Sequence, residues 1–173
     1  DDSIVRGTTL QKSILSILDR LGPKKIVVVS SAPQIRYPDC YGIDMSKMQD
    51  FIAFRALLAL LKDRELEYKI DEVYQKCKTA LQDGTAKEKN YVKELYNLFT
   101  DDEISDKISE IVRPEHIFSQ VKVIYQSVEE LNKACPKNLG DWYFTGNYPT
   151  PGGYRVVNRA FVFFVEGRNE RAY

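Results

Sequence analysis

Apolar residues recur three and four positions apart near the start of the chain, which predicts an amphipathic helix. Its apolar positions are Leu10, Ile14, Ile17, Leu18 and Leu21. Thr8 or Thr9 can cap the start of this helix, and Gly22-Pro23 is the glycine-then-proline signal that ends one.

A β-branched run at 26–29 follows directly after that helix. Such a run predicts a parallel strand that is covered on both faces. Residues 32–44 contain Pro33, Pro38 and Gly42, so we expect a loop at the carboxyl end of the strand. Residues 1–45 therefore predict an α/β unit with a parallel sheet.

From Ser46 to about residue 136 the spacing is helical almost throughout. Ser46 with Gln49, and Thr100 with Glu103, each match a capping box that starts a helix. We predict five helices, with apolar stripes at 51–61, 66–81, 91–99, 104–111 and 117–131. The predicted breaks are Gly84, Pro114 and Pro136. Residues 46–136 are thus a mainly helical region.

The tail segment, residues 137–173, has the weakest pattern. Trp142-Tyr143-Phe144 is compatible with a short strand, and residues 149–153 with a turn. Residues 156–165 fit a strand or a short helix, and we favour the helix.

Charge and composition narrow the classes of function. The chain has 173 residues, 25 basic and 25 acidic, and 43% apolar residues. The zero net charge excludes a broadly basic nucleic-acid binder. The longest apolar run, residues 56–61, is far too short to cross a bilayer, so we expect no membrane partner. Three widely spaced cysteines are a poor disulfide framework, which favours the cytoplasm.

The stretch most informative about chemistry is the first nine residues. They are Asp1-Asp2-Ser3-Ile4-Val5-Arg6-Gly7-Thr8-Thr9. Free N–H groups at a helix start, together with Gly7 and the hydroxyls of Thr8 and Thr9, suit an anion. The two carboxylates suit sugar hydroxyls or Mg²⁺, a cation that prefers oxygen ligands. Together they predict a cradle for a ribose 5-phosphate.

This nine-residue string resembles the phosphoribosyl pyrophosphate (PRPP) motif of type I phosphoribosyltransferases, in the form found in the amidophosphoribosyltransferase family. The resemblance continues at residues 31–38 and 41–45, covers about residues 1–55, and returns more weakly at 117–131 and 141–149. Residues 60–110 resemble an insertion relative to better-known members. The fold implied is a fragment of a parallel-sheet phosphoribosyltransferase domain followed by a mainly helical C-terminal region.

The resemblance also implies roles for individual residues. Asp1 and Asp2 match the acidic pair that binds Mg²⁺ and the ribose hydroxyls. Ser3, Val5, Arg6, Gly7, Thr8 and Thr9 match the loop around the 5-phosphate. The family transfers glutamine-derived ammonia to C1 of PRPP, giving phosphoribosylamine and pyrophosphate in purine synthesis. It further implies a homo-oligomer and feedback inhibition by purine nucleotides.

Val5 bears on which acceptor of the phosphoribosyl group, a nucleobase or ammonia, the resemblance implies. Several nucleobase phosphoribosyltransferases have an acidic residue at that position to assist the incoming base, whereas ammonia needs no such help. The motif therefore favours the ammonia enzyme. Another type I phosphoribosyltransferase, or a non-catalytic helical module for interaction or oligomerisation, remains the alternative.

The chain also departs from the family pattern. It starts at Asp1 instead of the family's catalytic cysteine, and it lacks the strand before the motif, so we expect an inactive C-terminal fragment. It has no close pair of cysteines, so we expect no iron–sulfur cluster. Arg36 and Tyr37 could face substrate or a feedback nucleotide, or anchor their loop. We expect His116, next to Glu115, to be scaffold.

Overall fold

The computed structural model describes residues 1–42, 45–137 and 140–173. The elements are a π-helical turn Leu10–Ile14, α1 (Leu15–Asp19), β1 (Lys25–Ser30), a 3-10 turn Met48–Asp50, α2 (Ile52–Asp63), α3 (Tyr68–Asp83), a 3-10 turn Thr85–Lys87, α4 (Lys93–Tyr96), α5 (Asp101–Val112), β2 (Gln120–Tyr125), α6 (Val128–Ala134), α7 (Trp142–Thr145) and α8 (Pro151–Val165). The end of the predicted loop, at Ile43 and Asp44, lies outside the described residues.

The two strands pair in parallel, with Val28 opposite Val123. This mixture of helices and a parallel sheet confirms the predicted α/β fold class. Helix α5 lies against the outer edge of β2, where the Ser109 hydroxyl accepts a hydrogen bond from the Val123 N–H at 2.8 Å. That contact satisfies a main-chain donor which an edge strand would otherwise expose.

The second strand corrects the prediction of one long helix over residues 117–131. Residues 120–125 form β2, and only Val128–Ala134 is helical. The residues of β2 include Val121, Val123 and Ile124, whose branched side chains fit an extended strand better than a helix. Their spacing also matches a helical stripe, so periodicity alone misassigned the segment.

The prediction that β1 is covered on both faces is also wrong for the described residues. Ile26 and Ser30 are buried, but Val27 and Val29 on the opposite face are 49% and 57% exposed. The helix before β1 ends at Asp19, and Gly22 follows three residues later with a φ of 68°, which fits the predicted stop. Of its five predicted core positions only Leu10 is buried, and Leu15 is the second buried residue of this helix.

The helical region confirms some predicted boundaries and moves others. Thr100 and Glu103 form the predicted capping box of α5. Gly84, with φ 85°, follows α3 as predicted. The expected capping box at Ser46 is wrong, because Ser46 is buried and α2 starts at Ile52 after a 3-10 turn.

The tail segment is helical in two places. Helix α8 confirms the preference for helix at 156–165, whereas residues 142–145 form the short helix α7 and not a strand. Asn158 of α8 is fully buried, and its amide donates to the carbonyls of Ala86 and Lys89 while its oxygen accepts from the Tyr91 N–H. This side chain therefore joins α8 to the segment before α4. No helix in the described part of the chain is both long and apolar enough to span a membrane.

Candidate functional site

The first residues of the chain lie along the free edge of β1. The Ser31 N–H donates to the Asp1 carbonyl and the Ala32 N–H to the Asp2 carbonyl, both at 3.0 Å, and the Asp1 amine donates to the Val29 carbonyl at 3.0 Å. The two bonds of Asp1, one to Val29 and one from Ser31, follow the pattern of a parallel strand pair, and the bond from Ala32 to Asp2 adds a further contact outside that pattern. The acidic pair is therefore held at the carboxyl end of the sheet, where open α/β sheets usually bind ligands.

A second support lies on the other side of the loop. The Ile52 N–H, at the start of α2, donates to the Val5 carbonyl at 2.7 Å. Gly7 has φ 69°, and a Cβ at this position would lie 3.0 Å from Cγ1 of Val112 on α5. The loop therefore needs glycine both for its backbone conformation and for its close approach to α5.

The loop lines an open cavity of about 230 Å³. Its lining residues are Asp1, Ser3, Ile4, Val5, Arg6, Gly7, Thr8, Thr9 and Leu10. All the residues predicted from the sequence to bind the phosphosugar are among them except Asp2. Arg6, Thr8 and Thr9 are exposed, whereas Ile4 and Leu10 are buried on either side of them.

The start of the helical run faces this loop. Its first main-chain hydrogen bond runs from the Gln11 N–H to the Gly7 carbonyl at 3.0 Å. The N–H groups that precede Gln11 in a helical run have no intrahelical acceptor. Thr9 makes no side-chain capping bond, so the expected cap is absent there. The Thr8 and Thr9 hydroxyls are exposed beside these N–H groups, an arrangement that suits an anion.

The acidic pair has oxygen donors of the kind that Mg²⁺ prefers. The carboxylates of Asp1 and Asp2 are exposed, and Oδ1 of Asp2 accepts the Ser3 N–H at 2.7 Å, which orients that side chain. Within residues 1–42, 45–137 and 140–173, no cluster of three or more acidic, histidine or cysteine side chains could hold a metal by itself. One or two carboxylates completed by substrate oxygens are a usual Mg²⁺ environment, so the pair fits this cation.

Arg36, one of the open candidates, anchors its loop. Its guanidinium donates to Oε1 of Gln34 at 2.6 and 3.0 Å and to Asp101 at 2.5 Å, and it lies over the ring of Tyr96. Tyr37 is buried, and burial raises the pKa of its phenol. Arg36 also borders a second cavity, of about 170 Å³, at the carboxyl end of β2.

The remaining candidates lie away from the loop cavity. Nε2 of the His116 ring is 2.9 Å from the hydroxyl of the half-buried Ser16, a partner that the sequence did not indicate. Cys77 is buried, and this burial raises the pKa of its thiol to about 12. Cys40 is half-buried and Cys135 is exposed. The expectation of no iron–sulfur cluster stays a prediction.

The sequence missed the residues that support the loop from outside the motif. Ser31 contacts the acidic pair through its N–H and its hydroxyl, and Asp50 lies 3.4 Å from the Arg6 guanidinium. The signal for Ser31 was its place directly after a strand, where side chains meet ligands in parallel sheets. Asp50 is 44 residues from its partner, so no local pattern could reveal it.

Three curated proteins illustrate what the chain is similar to, and each carries the name amidophosphoribosyltransferase. The protein from Haemophilus influenzae is 52% identical over 54 residues, which are 31% of this chain and 10% of that protein. The one from Escherichia coli is 49% identical over 53 residues, again 31% and 10%. The one from Saccharomyces cerevisiae is 32% identical over 154 residues, which are 87% of this chain and 20% of that protein.

The similarity therefore extends over most of this chain but over a small part of these relatives. The stretches that match cover between 10% and 20% of their length in the three proteins above. No family model matches the chain. No solved structure matches it significantly either.

Proposed function

Because this chain belongs to the amidophosphoribosyltransferase family, we propose that its first nine residues bind the phosphosugar part of PRPP. The observation that carries this proposal is the loop cavity of about 230 Å³, lined by the motif residues and held between β1 and α2. A sequence motif becomes a site only if its residues face a common space, and here nearly all of them do.

The loop offers the 5-phosphate three kinds of donor. These are main-chain N–H groups at the start of the helical run, the Thr8 and Thr9 hydroxyls and the Arg6 guanidinium, and the residues that carry them line the cavity. Hydrogen bonds to a charged phosphate are about twice as strong as those between neutral groups. Gly7 permits the close approach of the main chain on which such contacts depend.

The acidic pair would hold the other end of the substrate. The Asp1 and Asp2 carboxylates accept hydrogen bonds from ribose hydroxyls and would hold Mg²⁺. Mg²⁺, when bound, neutralises charge on the departing pyrophosphate. The hydrogen bonds that Ser31 and Ala32 donate to the main-chain carbonyls of this pair hold the backbone that carries the carboxylates, which favours one orientation of C1 toward the nucleophile.

We further propose that the complete protein transfers ammonia to C1 of PRPP. The new bond joins nitrogen to C1 while the bond from C1 to a pyrophosphate oxygen breaks. Val5 places an apolar side chain in the cavity wall, where a base for a poorer nucleophile would otherwise be needed. The transferase activity, its place in purine synthesis, the homo-oligomer, purine-nucleotide feedback and a cytoplasmic location are parts of this proposal.

Removing the threonine hydroxyls tests the phosphate contacts. Thr8→Val and Thr9→Val keep the branched shape and remove one donor each, and the exposed Thr79→Val on α3 is the matched control. A hydrogen bond to a charged group contributes about 1.5–3 kcal/mol, so Kd for PRPP should rise roughly tenfold or more at the loop positions. Calorimetric titrations in which all three variants bind like the original chain would contradict the proposal.

The activity of the chain by itself is tested separately. We expect no turnover of isotopically labelled PRPP with ammonia by these 173 residues, because the relatives carry much more of the polypeptide than the matched part. The assay compares the chain with a sample without protein. Product above that background would contradict the expected inactivity, although it would strengthen the assignment of the reaction.

A further inference from the structure

A carboxylate from outside the motif contacts the proposed phosphate loop. Nη2 of Arg6 lies 3.4 Å from Oδ2 of Asp50, which ends the 3-10 turn before α2. Both side chains remain accessible, since Arg6 is 47% and Asp50 34% exposed. The Asp50 carboxylate therefore contacts the guanidinium of Arg6, and Arg6 lines the cavity in which we propose that the phosphate binds.

The turn that carries Asp50 is fixed against the loop. Its neighbours Met48 and Phe51 are fully buried, and the Ile52 N–H donates to the Val5 carbonyl at 2.7 Å, next to the ion pair. Loop and turn are thus joined by a main-chain hydrogen bond one residue from Arg6. The backbone of Asp50 cannot move away from the loop without breaking this packing, so its carboxylate stays within reach of Arg6.

We propose that Asp50 sets the affinity of this site for phosphate groups, because its carboxylate competes with them for the Arg6 guanidinium. This inference rests on the proposed function. A ligand phosphate that engages Arg6 gives up part of its interaction energy to displace a contact that already exists. The loop N–H groups and threonine hydroxyls carry no such cost, so the competition weakens phosphate binding without abolishing it.

The expected effect is modest because the pair is partly exposed to water. Exposed ion pairs contribute little, and their loss corresponds to about a two- to fivefold change in an equilibrium constant. Removing the Asp50 charge should therefore tighten binding by this factor. A purely structural role for Asp50 predicts the opposite sign, since loosening the loop could only weaken binding.

The test measures binding of ribose 5-phosphate and of inorganic phosphate to the full chain by calorimetry. Asp50→Asn removes the charge and keeps the size, and Asp50→Glu keeps the charge. Asp63→Asn is the matched control, because Asp63 also forms an ion pair, with Lys107 at 2.9 Å. Asp63 ends the 12-residue helix α2, so it lies about 18 Å along the helix axis from the end of α2 that adjoins Asp50. This distance exceeds the length of about 10 Å over which 0.1 M salt screens the interaction between charges.

The proposal predicts two- to fivefold tighter binding of both ligands by Asp50→Asn, with Asp50→Glu and Asp63→Asn within twofold of the original chain. Unchanged or weaker binding by a folded Asp50→Asn, checked by circular dichroism, would overturn it. Equal tightening by Asp63→Asn would overturn it too, because the effect would then be one of net charge. If neither the original chain nor any variant binds ribose 5-phosphate, the proposed function itself fails.

Discussion

Replacing Gly7 with alanine tests whether the shape of the phosphate loop depends on its packing against α5. Gly7 has φ 69°, and a Cβ there would lie 3.0 Å from Cγ1 of Val112 and 3.5 Å from Cδ1 of Ile52. Gly22 is the matched control. It has φ 68°, but a Cβ there would meet nothing within 4 Å. The two glycines thus share a backbone conformation and differ in their surroundings.

The two substitutions should therefore cost different amounts of stability. A left-handed conformation costs an alanine about 1–2 kcal/mol. The lower entropy of the unfolded alanine chain offsets about 0.4–1 kcal/mol of this. Gly22→Ala should thus lower the free energy of unfolding by about 1 kcal/mol. Crowding of a buried side chain adds about 1–3 kcal/mol, so Gly7→Ala should lose about 2–4 kcal/mol.

Urea unfolding measures both losses. The single tryptophan, Trp142, reports the transition by fluorescence, and circular dichroism reports loss of helix. The linear dependence of the free energy on urea gives its value in water. Val112→Ala itself costs stability because Val112 is buried, but Gly7→Ala should cost less in a Val112→Ala background than in the original chain, since the crowded Cγ1 is then absent. Equal losses for Gly7→Ala and Gly22→Ala would refute the reasoning from close approach.

Three further predictions concern the parts of the fold that support the site. Asn158→Ala should lower the free energy of unfolding by about 3–5 kcal/mol, because one buried and two partly buried main-chain groups lose their partner. Urea unfolding checks this prediction, and a loss below 1 kcal/mol would contradict it. Thr100→Ala should lower the free energy of unfolding by about 1 kcal/mol, because α5 loses its N-terminal cap. Hydrogen bonds from Thr100 are the main cause of the lowered pKa of Glu103, so NMR titration of this variant should show that pKa rising. The third prediction concerns pH. Hydrogen bonds from Ser119 lower the pKa of Asp19 below 3.8, so Asp19 stabilises the fold above that pH and stops doing so as the pH falls through its folded value. Asp19→Asn should therefore flatten the loss of stability below pH 3.8 in acid unfolding curves, and identical curves would contradict this.

Local signals predicted the elements that are specified locally. The capping box at Thr100, the left-handed Gly84 after α3 and the stop at Gly22 all lie where the sequence indicated. In each case a side chain or a glycine fixes the backbone of its own neighbours. Such signals act within a few residues and do not depend on the rest of the fold.

The errors concern contacts between distant segments. Residues 120–125 become a strand because β1 provides a partner for them 95 residues earlier, as the pairing of Val28 with Val123 shows. The apolar spacing of 117–131 fits a helix equally well, and the choice depends on that partner. The same holds for the helical run before β1 and the turn that follows it, where Ile17 and Leu21 fit a core stripe but are 58% and 82% exposed.

The candidate site divides in the same way. The motif is continuous in sequence, so the residues around the loop cavity could be predicted, although Asp2, which was predicted with them, does not line it. Ser31 and Asp50 come to the loop only through the sheet edge and the turn before α2. Those contacts determine how firmly the loop is held, and periodicity cannot supply them.

The most direct test of the central claim is calorimetric titration of Mg²⁺–PRPP into the chain and into its Asp2→Asn variant. We expect saturable heat with the original chain and binding at least several-fold weaker with the variant, because the proposed role of Asp2 is to supply a charged oxygen to the ribose hydroxyls and Mg²⁺. Equal heats from the two proteins would contradict the claim that residues 1–9 form a PRPP site.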